Sequence, residues 1–167
     1  MSEQEGRERI REQRRADRRA ATAFFEACKS GDADLLYKAA DLLSNESVTG
    51  WTIAVRKIAR EVSQVGPDVQ SAFLSVWIQT QVLPLKVGDH GALCTAARVL
   101  MPPYRGPSVR LYRGASDSER RRRIYGISWT SDIKTAEKFA EECSQFDEGS
   151  VLLETIAPPE AIVCDIG

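Results

Sequence analysis

The chain has 167 residues, 43% of them hydrophobic and 28% charged, which is the balance of a globular domain able to bury a core. Its 23 Lys and Arg stand against 24 Asp and Glu, for a formal net charge of -1. Non-specific nucleic-acid binding needs a net basic footprint, so this charge argues against it as the main task. No apolar run approaches the roughly 20 residues of a membrane span, and the polar start has no apolar core for export. A cytoplasmic protein is expected, with no membrane partner. Delivery into a target cell by a route the sequence does not show is the alternative.

Cys28, Cys94, Cys143 and Cys164 lie far apart, and His90 is the only histidine. Metal-ligand spacings are missing, so no metal is expected and the cysteines read as free thiols in a reducing compartment. A lone His also removes the commonest Ser-His and Cys-His catalytic pairs.

Residues 1–20 hold seven arginines and five acids, many of them four apart, which reads as an exposed helix with mixed ion pairs. A basic arm for RNA or acidic lipid is the competing reading, and the mixed signs disfavour it. From Ala21 to Cys28 the helix becomes apolar, and Ser30-Gly31-Asp32 ends it. Asp32 or Asp34 can cap a second helix carrying Leu35, Leu36, Ala39, Leu42 and Leu43. Thr49 can cap a third, with Trp51, Ile53, Val55, Ile58 and Val62. A fourth runs from about Asp68 to Val82 and stops at Pro84, and a fifth runs from about Asp89 to Met101.

The pattern then changes. Val109 to Gly114 alternates like a half-buried strand, and residues 116–123 form a polar connection ending in four arginines. Gly126 to Ser131 reads as a second short strand and turn. Ser131 or Asp132 can cap a helix from about Ile133 to Cys143 that buries Ala136, Phe139 and Ala140. Ser150–Ile156 and Ala161–Cys164 read as third and fourth strands. Helices first and strands after predict an α+β protein: a helical region over 1–105, then a mainly antiparallel β region over 106–167.

The glycines form no phosphate loop of a known nucleotide fold. What carries chemistry is Leu111-Tyr112-Arg113-Gly114, followed by Ser128-Trp129-Thr130-Ser131 opening straight into a helix. Arginine grips phosphate with two prongs, and Gly114 would let a ligand approach the backbone. Ser128 and Thr130 share a strand face, with Trp129 on the other and core as its default place. The bland alternative pairs Arg113 with a carboxylate such as Asp132 and leaves the hydroxyls as a strand end and cap.

The order Arg, Ser-x-Thr, then Glu resembles the ADP-ribosyltransferase superfamily. The matching segments are residues 111–114, 128–131, the helix Thr135-Ala136-Glu137-Lys138-Phe139-Ala140 and the strand region 151–163, roughly the last third of the chain. The resemblance implies NAD as co-substrate, no metal, and a macromolecular acceptor. Its flavour is bacterial or phage, with toxin-like relatives. It makes Arg113, Ser128 and Thr130 the catalytic set, and Arg113, Gly114, Ser128, Trp129 and Thr130 the cofactor-binding set. Phe139 or Phe146 would be the ring covering the nicotinamide, although the spacing of Phe139 favours core. The family's last element is a Glu on a later strand, and this sequence stops at Cys164-Asp165-Ile166-Gly167, where a loop to that strand is expected. The β region is therefore expected to be partial, with Glu154 the candidate substitute. An inactive interaction protein of the same fold, and an NAD glycohydrolase toxin, are the alternative functions.

Overall fold

The computed structural model describes residues 2–80, 82–145 and 149–166. Among these the protein is α+β, with eight α-helices and one two-stranded antiparallel sheet. It divides into two compact units, Met1–Pro103 with Val163–Gly167, and Tyr104–Ile162. None of the described helices is long and apolar enough to cross a membrane.

The first unit is helical. Helix α1 (Glu3–Ser30) starts at a capping box in which the Ser2 hydroxyl and the Glu5 carboxylate each accept the other residue's backbone N–H. It ends at Gly31, whose φ of 79° closes the helix in the left-handed conformation. Its first four turns are exposed, apart from half-buried Gly6, Gln13 and Ala16, and pair Arg7 with Glu3 at 2.5 Å. Its second half buries Phe24, Phe25, Ala27 and Cys28. Burial pushes the Cys28 thiol up to about 12, so it stays protonated and is a poor nucleophile.

Asp32 caps α2 (Ala33–Asn45) by accepting from Leu35 N at 2.9 Å. Leu36 and Leu43 of α2 are fully buried, as are Trp51 and Ile58 of α3 (Gly50–Glu61) and Phe73 of α4 (Pro67–Gln79). Phe24 sits edge-on to Trp51, with ring centroids 5.2 Å apart, and to Phe73 at 6.2 Å. Edge-to-face contacts of this kind add to what area burial alone supplies.

The expected stop at Pro84 is instead a start. Pro84 lies in the first turn of a short helix, α5 (Leu83–Val87), where a missing N–H costs nothing. Helix α6 (His90–Leu100) is capped by Asp89, which accepts from Ala92 N at 3.0 Å. Thr49 occupies the N-cap position of α3 without capping it, because its hydroxyl is spent on Asp17.

Asp17 is 2% exposed, the one buried charged residue among those described. Its Oδ1 accepts from Gln13 Nε2 at 2.9 Å, Ser47 Oγ at 2.9 Å and Val48 N at 3.0 Å. Its Oδ2 accepts from Thr49 N at 3.1 Å and Thr49 Oγ1 at 2.6 Å. Burial alone would raise its pKa. The hydrogen bonds from Thr49, Gln13 and Val48 outweigh burial and hold the carboxyl well below its ordinary 3.8. One carboxylate thus ties α1 to the α2–α3 connection.

In the second unit β1 (Val109–Ser116) pairs antiparallel with β2 (Ser150–Ala157), with Arg113 opposite Leu153 and Tyr112 opposite Glu154. Residues 117–122 form a helix, α7 (Asp117–Arg122), rather than a polar connection. The cause is a second capping box, with Glu119 N donating to Ser116 Oγ at 3.2 Å and Ser116 N donating to Glu119 Oε2 at 3.1 Å. Asp132, not Ser131, caps α8 (Ile133–Ser144), accepting from Lys134 N and Thr135 N.

Two expected strands are absent. In residues 126–131 only Thr130 pairs, through an isolated bridge to Tyr112, because the chain turns at once toward α8. The turn is fixed by Asp132 N donating to Thr130 Oγ1 at 3.1 Å. Residues 161–164 are irregular beyond a 3₁₀ turn over Pro159–Ala161, where Pro158 and Pro159 supply no N–H for a ladder.

Candidate functional site

Tyr112 spends both backbone groups on Thr130: its N–H donates to Thr130 O at 2.7 Å, and its carbonyl accepts from Thr130 N at 3.0 Å. This bridge lays the segment before α8 along the edge of β1 away from β2. The next residue, Arg113, projects to the other face by strand alternation.

The Arg113 side chain is 19% exposed. Its Nη1 donates to the Ser128 carbonyl at 2.9 Å, and its Nη2 donates to Glu119 Oε1 at 3.0 Å. Its Nε is buried with no hydrogen-bond partner among the described residues. The guanidinium lies so close to Gly126 that a Cβ there would fall 2.3 Å from Nη2. Strand β1, helix α7 and the 126–130 segment thus converge on one cation. A guanidinium held this deep needs a carboxylate, because an unpaired buried charge is costly. Glu119 supplies it. Asp132, the partner weighed from sequence, is committed to capping α8 and to accepting from Thr135 Oγ1 at 2.7 Å. That bond is the main reason its carboxyl titrates below the ordinary range.

The expected site residues are therefore brought together only in part. Arg113, Ser128 and Thr130 lie in one neighbourhood, but Ser128 meets Arg113 through its carbonyl. Thr130 is placed by its backbone pairing, and its hydroxyl accepts from Asp132 N. Trp129, between them, is half-buried.

Gly114 serves a different approach from the one expected. A Cβ there would fall 2.3 Å from Ala136 O and 2.3 Å from Ala140 N. The space over Gly114 is filled by the backbone of α8, so the close neighbour is a helix and not a ligand. Ala136 and Ala140 are the buried residues of α8, and Phe139, expected in the core, is 55% exposed. The helix approaches too closely to admit a large side chain at the contact. Phe146 lies outside the described residues.

Glu154 does not substitute for a late-strand Glu beside Arg113. It stands opposite Tyr112, so it shares the sheet face that α8 covers, whereas Arg113 projects from the other. Its carboxylate pairs with Arg110. Glu119 is the site residue that the sequence reading missed. The signal was present in Ser116-x-x-Glu119, the capping-box signature that begins α7. Of the four-arginine run, Arg121 is paired with Asp117, and Arg120, Arg122 and Arg123 are exposed at the C-terminal end of α7. Cations at that end of a helix are favoured by its dipole.

Compared with known proteins, the chain matches no family model, no curated protein and no solved structure.

Proposed function

We propose that Arg113 is the anchor of an NAD site and that the protein is an NAD-dependent mono-ADP-ribosyltransferase acting on a macromolecular acceptor. The observation that supports this is the convergence of Arg113 with the Ser128–Thr130 segment, through the 2.9 Å bond to the Ser128 carbonyl and the Tyr112–Thr130 bridge. Arg113 fits an anionic ligand because Nη1 and Nη2 each keep a second N–H beyond the described bonds. NAD presents a pyrophosphate that such a fork can grip.

In the reaction the bond between ribose and nicotinamide breaks, and nicotinamide leaves with the bonding electrons. Positive charge develops on the ribose carbon. An acceptor nucleophile then forms the new bond and gives up its proton. Arg113 serves by fixing the pyrophosphate, so that the ribose is held in place while charge develops.

A second reading is favoured by a specific observation. Both Nη atoms of Arg113 already have protein partners, and Glu154 faces the other way. A protein that keeps the site's architecture for interaction, without turnover, would look the same.

Calorimetry with NAD on the whole chain and on Arg113→Ala tests the proposal. Wild type is expected to bind, and the variant to lose at least about tenfold in affinity, the usual worth of charge-assisted phosphate contacts. Arg113→Lys guards against misfolding, since it keeps the charge opposite Glu119 but lacks the planar fork. It should also bind more weakly. Wild-type protein that folds but does not bind NAD would favour the interaction reading. NAD consumed without label reaching any macromolecule would mean that water is the acceptor, which is glycohydrolase activity.

A further inference from the structure

We infer that Glu119 is the positioning residue for Arg113, and that the capping box of α7 fixes the guanidinium ready for an anionic substrate. This rests on the reading of Arg113 as the NAD anchor. The two oxygens of Glu119 do separate work. Oε2 accepts from Ser116 N at 3.1 Å, a bond that belongs to the turn between β1 and α7. Oε1 accepts from Arg113 Nη2 at 3.0 Å. The carboxylate is thus fixed to the backbone at the end of the strand that carries Arg113, only three residues further along the chain.

A carboxylate pinned in this way does not depend on the ligand for its place. It can hold one Nη2 hydrogen while the second hydrogens of Nη1 and Nη2 stay unspent. The opposite side of the guanidinium is set by the Ser128 carbonyl at 2.9 Å, and the space beside it is closed by Gly126. Three elements leave one orientation for the fork. Bidentate recognition depends on orientation as well as charge, so fixing the fork removes an ordering cost from binding. Arg121, one turn on from Asp117, pairs with that carboxylate.

The same contacts allow an opposing role, in which Glu119 occupies Arg113 and must be displaced by substrate. The two roles predict opposite signs. Glu119→Gln keeps an acceptor oxygen for Ser116 N and so preserves the capping box. It removes the charge that holds Arg113.

The experiment pairs two readouts on the full chain, wild type and Glu119→Gln. The first is the Arg113 side-chain Nε–Hε resonance in ¹⁵N-edited NMR, assigned through its loss in Arg113→Lys. The second is NAD affinity by calorimetry. In wild type the resonance is expected to be sharp and slow to exchange. In Glu119→Gln it should broaden and exchange faster, with an unchanged circular-dichroism spectrum and NAD affinity lowered about tenfold.

Gly126→Ala supplies an independent perturbation. It pushes the guanidinium aside without altering charge or capping, and should disturb the same resonance and weaken NAD binding. It decides the matter if Glu119→Gln fails to fold. An unchanged resonance in a folded variant, or NAD affinity that holds or rises, would overturn the positioning role; a rise would point to the displaceable latch. If wild type binds no NAD, the proposed function fails, and the resonance alone decides whether Glu119 holds Arg113.

Discussion

Replacing Asp17 with Ala should destabilise the helical unit by about 3 kcal/mol, the usual cost of removing one side of a buried charged network. The effect comes from what is left behind. Val48 N, Thr49 N and the hydroxyls of Ser47 and Thr49 all lose their acceptor at once, where the α2–α3 connection meets the buried end of the Asp17 side chain. A donor left without its acceptor carries a penalty that grows with its burial. The melting temperature of this unit should fall by more than about 10 °C, followed through Trp51 of α3, which packs on Phe24 of α1, the helix that carries Asp17. Asp17→Asn keeps the shape and one acceptor, but it turns an amide N–H₂ toward donors that now meet a carboxylate oxygen. It should recover only part of the loss. The carboxyl titrates lower in the folded than in the unfolded chain. Its contribution is therefore complete above the unfolded value, near pH 4, and declines as pH falls from there toward the folded value. Wild type should lose stability over that acid range, and Asp17→Ala should lose less. Equal acid sensitivity in the two proteins would show that the network is not the source.

Gly114→Ala should disrupt the second unit while leaving the first intact. Its methyl group would sit 2.3 Å from Ala136 O and Ala140 N and 2.8 Å from the Phe139 carbonyl carbon. All three atoms are helix backbone, so no side chain can rotate away to make room. Helix α8 must lift from the sheet or β1 must bend. Overpacking of this kind costs about 3 kcal/mol at the upper end of its usual range. A two-stranded sheet depends on such a helix for its stability, so the loss should be close to that unit's whole margin. Amide hydrogen exchange resolves the outcome by region. Protection should fall across β1, β2 and α8 and persist in α2 and α3. Because β1 carries Arg113, the variant should also lose the sharp Arg113 resonance. A variant that melts and exchanges like wild type would mean that α8 can move without loss.

The helices of the first unit were legible because their apolar spacing repeats at short range. Asp32 and Asp132 announced helix starts for the same local reason: each bonds within three residues of itself. Asp17 was not legible. It looks like one acid among many in a charged stretch, and its Ser47, Val48 and Thr49 partners lie about thirty residues on. Gly114 reads as a place of close approach, but sequence does not say what approaches, and the answer is the backbone of α8. Residues 126–131 look like a strand by composition. Whether they pair depends on the length of free edge that β1 offers, and Tyr112 is the residue that takes the bridge. Phe139 shows the limit of spacing arguments on a short helix. Contact by Ala136 and Ala140 is closer than a ring would permit, and it turns Phe139 outward. Arg113 itself was readable as a cation in a strand, whereas its support by Glu119 was hidden in a run of arginines.

The register of the sheet also sets an order of assembly. Its tightest rung joins Ser116 to Ser150, and its widest joins Val109 to Ala157, so each rung encloses the chain that forms α7 and α8. Helices α1 and α2, by contrast, meet across the single turn at Gly31. Loop closure makes distant pairings slower than neighbouring ones. A ribosome releases β1 well before β2 exists to cover it. In that interval α7 can already form, since Ser116 and Glu119 are both present, and Glu119 can find Arg113 without the second strand. The cation and its carboxylate lie six residues apart in the chain, so both are present before the second strand is made.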